Sequence, residues 1–507
     1  MEKKKKPNIL LITSDQQHWN TLGAFNEEIE TPNLDRLIEE GTTFKRAYCP
    51  NPTCTPTRAS MITGKYPSQH GAYSLGTKLS EEEHTVGEDF QKNGYRTSLI
   101  GKAHFQPLDS TEEFESLEAY PTLQNLDFWK DFDEDFYGFE KVELARNHVD
   151  EAHVGQHYAL WMEEKGFDNW KDCFRKPTGN SEPQHGTWNI PEEYHYDTWI
   201  AERTNKVLEE YVENEENFFH WASFFDPHPP YLVPEPWDEM YDPDDITLPT
   251  KVEGEHENNP PHFQKTQEED PGFSEYIGNN EGEHALHGFH SHLHDPEAMK
   301  KNIAVYYGMV SLMDKYIGKI LDKLEELGIA DNTVVVFTTD HGHLYGQHGL
   351  IAKGAFHYED LLKVPFLVRY PGQIPAGKVN ESMQSLVDLA PTLLNLCDIE
   401  VPRTMTGKDQ SQAWLGKKEE VRDHIICENR HEPDTVHVKT DVDKRYKMTV
   451  YYNQEYGELF DLKKDPDEVN NLWDNPEYQE LKKDLLLKFM WAEMGKEPLW
   501  MPRIANA

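Results

Sequence analysis

Cys54 and Arg58, four residues apart in the stretch NPTCTPTRASMITGKYPSQHG that runs from Asn51 to Gly71, are the pair whose types and spacing first suggest chemistry. A thiol can act as a nucleophile or be converted into one, and a guanidinium that stays charged at any workable pH would stabilise an anion at position 54. Pro52 and Pro56 break the segment, so both groups are expected on a constrained loop that afterwards enters a helix. Taken alone, the pair has a plainer reading: a buried structural thiol beside a surface charge.

The elements that would position such a site are short apolar runs with chemistry at their ends. Asn8 to Thr13 is rich in Ile and Leu and leads into Ser14-Asp15-Gln16; Tyr95 to Ile100 leads into Gly101-Lys102-Ala103-His104. Phe218 to Phe225 leads into Asp226-Pro227-His228, and Thr333 to Thr339 into Asp340-His341-Gly342. Continuous apolar runs of this length are the pattern of strands buried on both faces of a parallel sheet. Ligands of such sheets bind outside the carboxyl ends of the strands. One acidic or histidine residue after a strand is ordinarily a cap or turn former, but four strands here bring Asp, Gln, Lys, His and Asp to one edge.

Cys-Thr-Pro-Thr-Arg followed by Ala-Ser-Met-Ile-Thr-Gly-Lys-Tyr-Pro resembles the signature of the type I sulfatases, and the strand-end motifs match that family in order from Asn8 to about Leu396. The resemblance implies that Cys54 is converted by a formylglycine-generating enzyme to formylglycine, whose hydrate supplies the nucleophilic oxygen and is held by Arg58. It implies that Asp15, Gln16, Asp340 and His341 ligate a metal together with the modified Cys54. Oxygen-rich ligation suits Ca²⁺ first, with Mg²⁺ or Mn²⁺ behind it. Many family members have Asp at the Gln16 position and Asn at that of His341; the Gln removes a charge and the imidazole softens the site. Lys353 matches the lysine that contacts sulfate, and Lys102, His104 and His228 match the other active-site bases and cations. The implied fold is α/β and alkaline-phosphatase-like: a mostly parallel central sheet flanked by helices, with a smaller C-terminal α+β subdomain containing an antiparallel sheet.

Thr31-Pro32 to Gly41 carries the start, periodicity and stop of a helix, and Asn302 to Leu327 has the apolar stripe of a core helix. Val364 to Tyr370 reads as a strand and Leu386 to Leu396 as a short helix. Insertions at about 109–196 and 234–297 are aromatic, acidic and His-rich, and are expected as long loops around the pocket that set specificity. The cluster of His284, His287, His290, His292 and His294 lacks a ligand framework and reads as a solvated loop. Residues 1–420 are expected as the catalytic domain and 421–507 as the smaller one, with strands near 424–427, 446–452 and 458–462 and a last helix after Asn475-Pro476. Glu428, Asn429 and Arg430 are candidates for substrate contact, as is His348; His343 and His348 are equally readable as packed turn histidines.

The 507-residue chain carries 50 basic and 92 acidic residues, a net charge of −42. That field repels long anionic polymers and argues against nucleic acid as a partner. No run approaches the roughly 20 apolar residues that span a bilayer, the lysine-rich start lacks the apolar core of an export signal, and five scattered cysteines fit a reducing compartment. Cytoplasm is the default location, while the oligomeric state is open. The resulting expectation is a sulfuric ester hydrolase acting on a small sulfated carbohydrate. The motif pairings are most similar to bacterial carbohydrate sulfatases and the iduronate-sulfatase-like branch. Alternatives are a phosphonate monoester or phosphodiester hydrolase on the same scaffold, a protein in which Cys54 stays a thiol or a metal is bound at the His cluster, and an inactive sugar-binding homologue.

Overall fold

The computed structural model describes residues 6–146, 154–174, 185–268, 295–432 and 436–506. The cluster at His284–His294 lies outside the described residues. The central sheet contains Asn8–Ser14 (β1), Thr42–Tyr48 (β2), Arg96–Gly101 (β3), Lys141–Leu144 (β4), Phe218–Ser223 (β5), Thr333–Thr339 (β6), Phe366–Arg369 (β7) and Lys378–Ser385 (β8). Their order is β8-β2-β7-β6-β1-β5-β3-β4. Only β7 pairs antiparallel, with β2 and β6; β1 pairs parallel with β5 and β6, β3 with β4 and β5, and β2 with β8.

Side chains of a strand alternate between the two faces of its sheet, and the core divides accordingly. Leu10, Ile12, Val335 and Phe337 pack on one face with Ile303, Val310 and Ile317 of Pro296–Glu326 and with Trp199 and Ile200 of Tyr196–Glu213. Ile9, Leu11, Val334 and Val336 pack on the other with Ala59, Met61 and Ile62 of Cys54–Thr63 and with Leu389 and Leu393 of Leu389–Leu396. Helices on both faces of a mostly parallel sheet make the α/β architecture that the apolar runs implied.

Three strands were not legible as apolar runs. β2 carries Lys45 and Arg46 at its centre, β4 has only four residues, and β8 is largely polar. β4 and β8 form the two edges of the sheet, where a strand needs only partial burial. The first insertion is therefore more than loop: it contains β4 and the helix Gln156–Glu164, whose Tyr158, Trp161 and Met162 are buried. Its many aromatic side chains hid that packing from an aliphatic periodicity.

The C-terminal sheet runs His424–Glu432 (β9), Val436–Asp443 (β10), Tyr446–Tyr451 (β11) and Gly457–Asp461 (β12), antiparallel in chain order. Leu485 and Phe489 of the helix Gln479–Met494 pack with Ile426, Met448 and Leu459. β9 is tied to the segment before Cys54: Glu428 N donates to the Pro50 carbonyl, and Asn51 Nδ2 donates to the Glu428 carbonyl at 2.6 Å. No helix among the described residues is long and apolar enough to cross a membrane.

Candidate active site

Cys54 is the first residue of the helix Cys54–Thr63, not part of a loop before it, and Pro56 lies in the helix's first turn. The expectation of a loop fails because the first four N–H groups of a helix have no intrahelical partner, so proline removes nothing there. The helix follows β2, and the loops after β1, β3, β5 and β6 reach the same edge of the sheet.

The Cys54 Sγ is the meeting point. Lys353 Nζ donates to it at 2.9 Å, His341 Nε2 lies 3.2 Å away, Asp15 Oδ1 3.6 Å and Lys102 Nζ 4.0 Å. Burial pushes the unmodified thiol up, Asp15 adds to this, and Lys102 and Lys353 oppose it. Arg58 is fully buried, but its hydrogen bonds serve the surrounding groups. Nε donates to Asp340 Oδ2 at 2.8 Å, and Nη1 to the Lys102 carbonyl and Ser223 Oγ. Its Nη2 has no hydrogen-bond partner among the described residues. Lys102 forms an ion pair with Asp15.

Asp15, Cys54, Asp340 and His341 are buried and offer ligand atoms within 4.8 Å of one another. His341 Nδ1 lies 2.9 Å from the Gly342 carbonyl, so it must carry the proton there and leave Nε2 with its lone pair facing the cluster. Burial lowers this imidazole to about 4, so at neutral pH it is an uncharged donor. Gln16 is in the left-handed region at φ 61°. Its Nε2 donates to His343 Nδ1 at 2.8 Å, and Tyr231 OH lies 2.7 Å from His343 Nε2. The Gln16 Oε1 is left buried with no hydrogen-bond partner among the described residues. An orphaned carbonyl oxygen, two carboxylates and an uncharged imidazole are a donor set that fits a divalent cation.

His228 Nδ1 donates to the Pro229 carbonyl at 2.6 Å, and its Nε2 lies 3.1 Å from Lys353 Nζ. His104 sits two residues after Lys102 in the left-handed region at φ 57°. Burial lowers it well below the usual histidine range, and Arg146 and Lys102 add to that shift. The remaining candidates lie farther out. His348 bonds Glu255 at 2.9 Å and stacks on Tyr358 at 3.6 Å, with no hydrogen bond to the Cys54 group among the described residues. Arg430 stands over the Tyr73 ring at 5.0 Å, on the β9 side of the segment entering Cys54. Glu428 is instead buried in bonds to Ser68 and Lys496. Sequence reasoning missed Ser223, Tyr231, Glu118 and Arg146, and it left the role of His343 open; Tyr231, Glu118 and Arg146 follow no buried apolar run in a recognisable motif, and Ser223, the last residue of β5, lies inside one.

Cys54 thus sits at a helix start, buried among two lysines, two aspartates and a histidine beyond the carboxyl ends of parallel strands, a setting that suits an anionic ester. The sulfatase family model matches residues 7–399, and a model described as N-sulphoglucosamine sulphohydrolase, C-terminal, matches residues 346–494. An arylsulfatase of Clostridium perfringens is 31% identical over 504 residues, covering 97% of this chain and 95% of that protein. An N-acetylglucosamine-6-O-sulfatase of Bacteroides thetaiotaomicron is 25% identical over 512 residues, covering 96% and 86%. The structure of a phosphonate monoester hydrolase of Agrobacterium radiobacter superposes with a TM-score of 0.78 at 23% identity, covering 97% and 96%. The chain belongs to the sulfatase family and is a sulfuric ester hydrolase.

Proposed function

We propose that the enzyme removes sulfate from a small sulfated carbohydrate, using formylglycine made from Cys54 by a formylglycine-generating enzyme, and a divalent cation, Ca²⁺ before Mg²⁺ or Mn²⁺. The observation that carries this reading is the position of the Cys54 Sγ, 2.9 Å from Lys353 Nζ and 3.2 Å from His341 Nε2. The saccharide assignment is supported by the relative named N-acetylglucosamine-6-O-sulfatase, and by a net charge of −42 that disfavours long polyanions.

Asp15, Gln16, Asp340 and His341, with the oxygen at position 54, would hold the cation, which supplies Lewis-acid polarisation of the sulfate. The hydrated aldehyde at position 54 supplies a nucleophilic oxygen directed at sulfur. Lys102 and Lys353 stabilise negative charge on the sulfate oxygens as it develops. His228, paired with the Lys353 ammonium, donates a proton to the departing alcohol, and the uncharged His104 accepts one in the second half of the cycle. Arg58 orients Asp340 through its Nε hydrogen bond. Arg430, on the unit taken as residues 421–507, lines the rim, with His348 as a further substrate candidate. A cytoplasmic location remains part of the proposal.

The test begins with a peptide mass over residue 54 from a host that makes the converting enzyme, where the aldehyde is lighter than the thiol. Sulfate and phosphate release is then measured by ion chromatography from sulfated mono- and disaccharides, an aryl sulfate and a phosphonate monoester. Preferential sulfate release from one saccharide is expected. Preferential cleavage of the phosphonate would replace the reading by its alternative on the same scaffold, and an unconverted yet active thiol would discard the aldehyde.

A further inference from the structure

The His104 backbone is held by a carboxylate that the reaction itself does not use. His104 is not glycine, yet its φ is 57°, a conformation that costs free energy and persists only where the surroundings enforce it. Glu118, 1% exposed, supplies the enforcement. Its carboxylate accepts from three successive backbone amides: His104 N at 2.9 Å, Phe105 N at 2.8 Å and Gln106 N at 3.1 Å. Arg146, which follows the edge strand β4, completes the arrangement by donating from Nη1 to Glu118 Oε2 at 2.7 Å and to the Gln106 carbonyl at 3.2 Å. Ala145 N bonds the Gly101 carbonyl at 3.1 Å, so the same strand end fixes both Arg146 and the exit of β3. Arg146 is 3% exposed and its Nη2 has no hydrogen-bond partner among the described residues.

We propose that Glu118 and Arg146 are positioning residues for the acid–base step, a clamp that holds His104 in its left-handed conformation at the site. The proposal rests on the reading of His104 as the base. Neither residue need touch substrate: Glu118 acts through the backbone, and Arg146 through Glu118 and through its own charge. The charged groups that bear on the imidazole are Arg146 beyond β4, Lys102 on the same segment, Arg58 on the helix Cys54–Thr63 and Lys353 on the loop after β6, with the Glu118 carboxylate beneath the backbone. All but the last disfavour a protonated ring.

The experiment uses the full chain carrying the aldehyde and compares Glu118→Gln, Glu118→Ala, Arg146→Lys, Arg146→Ala and His104→Ala. Hydrogen exchange is read at the amides of residues 104–106, independently of turnover. In Glu118→Ala these amides are expected to lose protection, while kcat falls about a hundredfold and KM stays close to wild type, as for a group displaced by about 1 Å. Glu118→Gln keeps one acceptor oxygen but sets an NH2 against one of the two donor pairs, so it should fall between wild type and Glu118→Ala in both readouts and guards against a folding failure. Removing the Arg146 cation makes protonation of His104 easier, so the acid limb of the kcat profile should move to higher pH in Arg146→Ala and return in Arg146→Lys. Adding Glu118→Ala to His104→Ala should cost little further. If His104→Ala leaves kcat unchanged, the base reading is wrong. If His104→Ala is inactive while Glu118→Ala retains wild-type kcat and protected amides, the clamp is wrong.

Discussion

Gln16 shows how a single side chain can be sorted by its neighbours. An amide can present either end, but His343 Nδ1 takes the Nε2 hydrogen at 2.8 Å and Tyr231 occupies the other ring nitrogen, so Oε1 is the end left unpartnered among the described residues. Replacing His343 by Ala should leave Asp15, Asp340 and His341 in place yet free the Gln16 amide to rotate. Loss of such an outer contact typically weakens a metal site about 10–100-fold, a change readable by Ca²⁺ titration calorimetry on the wild type and variant. The other residue-scale prediction concerns His228. Its Nε2 is 3.1 Å from Lys353 Nζ, so the ammonium can restore the proton that His228 gives to the alcohol. His228→Ala should cost about 10²–10⁴-fold in kcat on a sugar sulfate, whose alcohol leaves poorly, and far less on an aryl sulfate with an acidic phenol. Equal losses on both substrates would remove His228 from the acid role.

At the scale of elements, the exits of the parallel strands are packed too closely for ordinary side chains. Gly101 ends β3 at φ 110°, and a Cβ there would stand 1.9 Å from the Ser223 carbonyl oxygen at the end of β5. Gly101→Ala must therefore part β3 from β5 just before Lys102. A loss of at least about 2 kcal/mol is expected, seen as a lower urea midpoint, together with loss of activity. Between β5 and its covering helix lies His220, 2.7 Å from Ser98 Oγ and 3.0 Å from Thr204 Oγ1. Burial, with Lys141 acting in the same direction, lowers it to about 3 from an ordinary 6.5. The folded form thus keeps it neutral where the unfolded chain takes up a proton. Its contribution is fully present above pH 6.5 and is lost as pH falls from 6.5 towards 3, at about 1.4 kcal/mol per pH unit. Denaturant unfolding of His220→Asn between pH 7 and pH 4 should fall less steeply than that of wild type by about that slope, whatever stability the substitution itself removes.

For the whole molecule, a net charge of −42 on 507 residues sets a self-repulsion that the fold must bear. The cations at the site are held inside this field by buried pairing: Arg58 with Asp340, Lys102 with Asp15 and Arg146 with Glu118. Exposed charges separated by about 8 Å or more are screened at physiological ionic strength, whereas buried pairs are screened little. Raising NaCl from about 0.01 M to about 0.15 M should therefore increase Tm, measured by differential scanning calorimetry at constant pH and Ca²⁺. A Tm that falls with salt would show that surface attractions, rather than repulsion, dominate.

The sequence by itself determined which residues meet at the carboxyl edge of the sheet. Buried parallel strands must be apolar throughout, so Asn8–Ser14 and Thr333–Thr339 stand out, and the first polar residues after them, Asp15, Gln16, Asp340 and His341, are where a ligand can be reached. Cys54 and Arg58 were legible from a local motif, although the start of their helix was not, because the proline that seemed to forbid it falls in the one turn that tolerates it. Tertiary structure alone decided that Glu118 would cap residues 104–106, that β4 would bring Arg146 beside them, that His343 would orient Gln16 and that His348 would turn to Glu255. These pairings join residues from 12 to 327 positions apart. They depend on where polar edge strands and aromatic-rich insertions settle against the central sheet, and no periodicity along the chain encodes that.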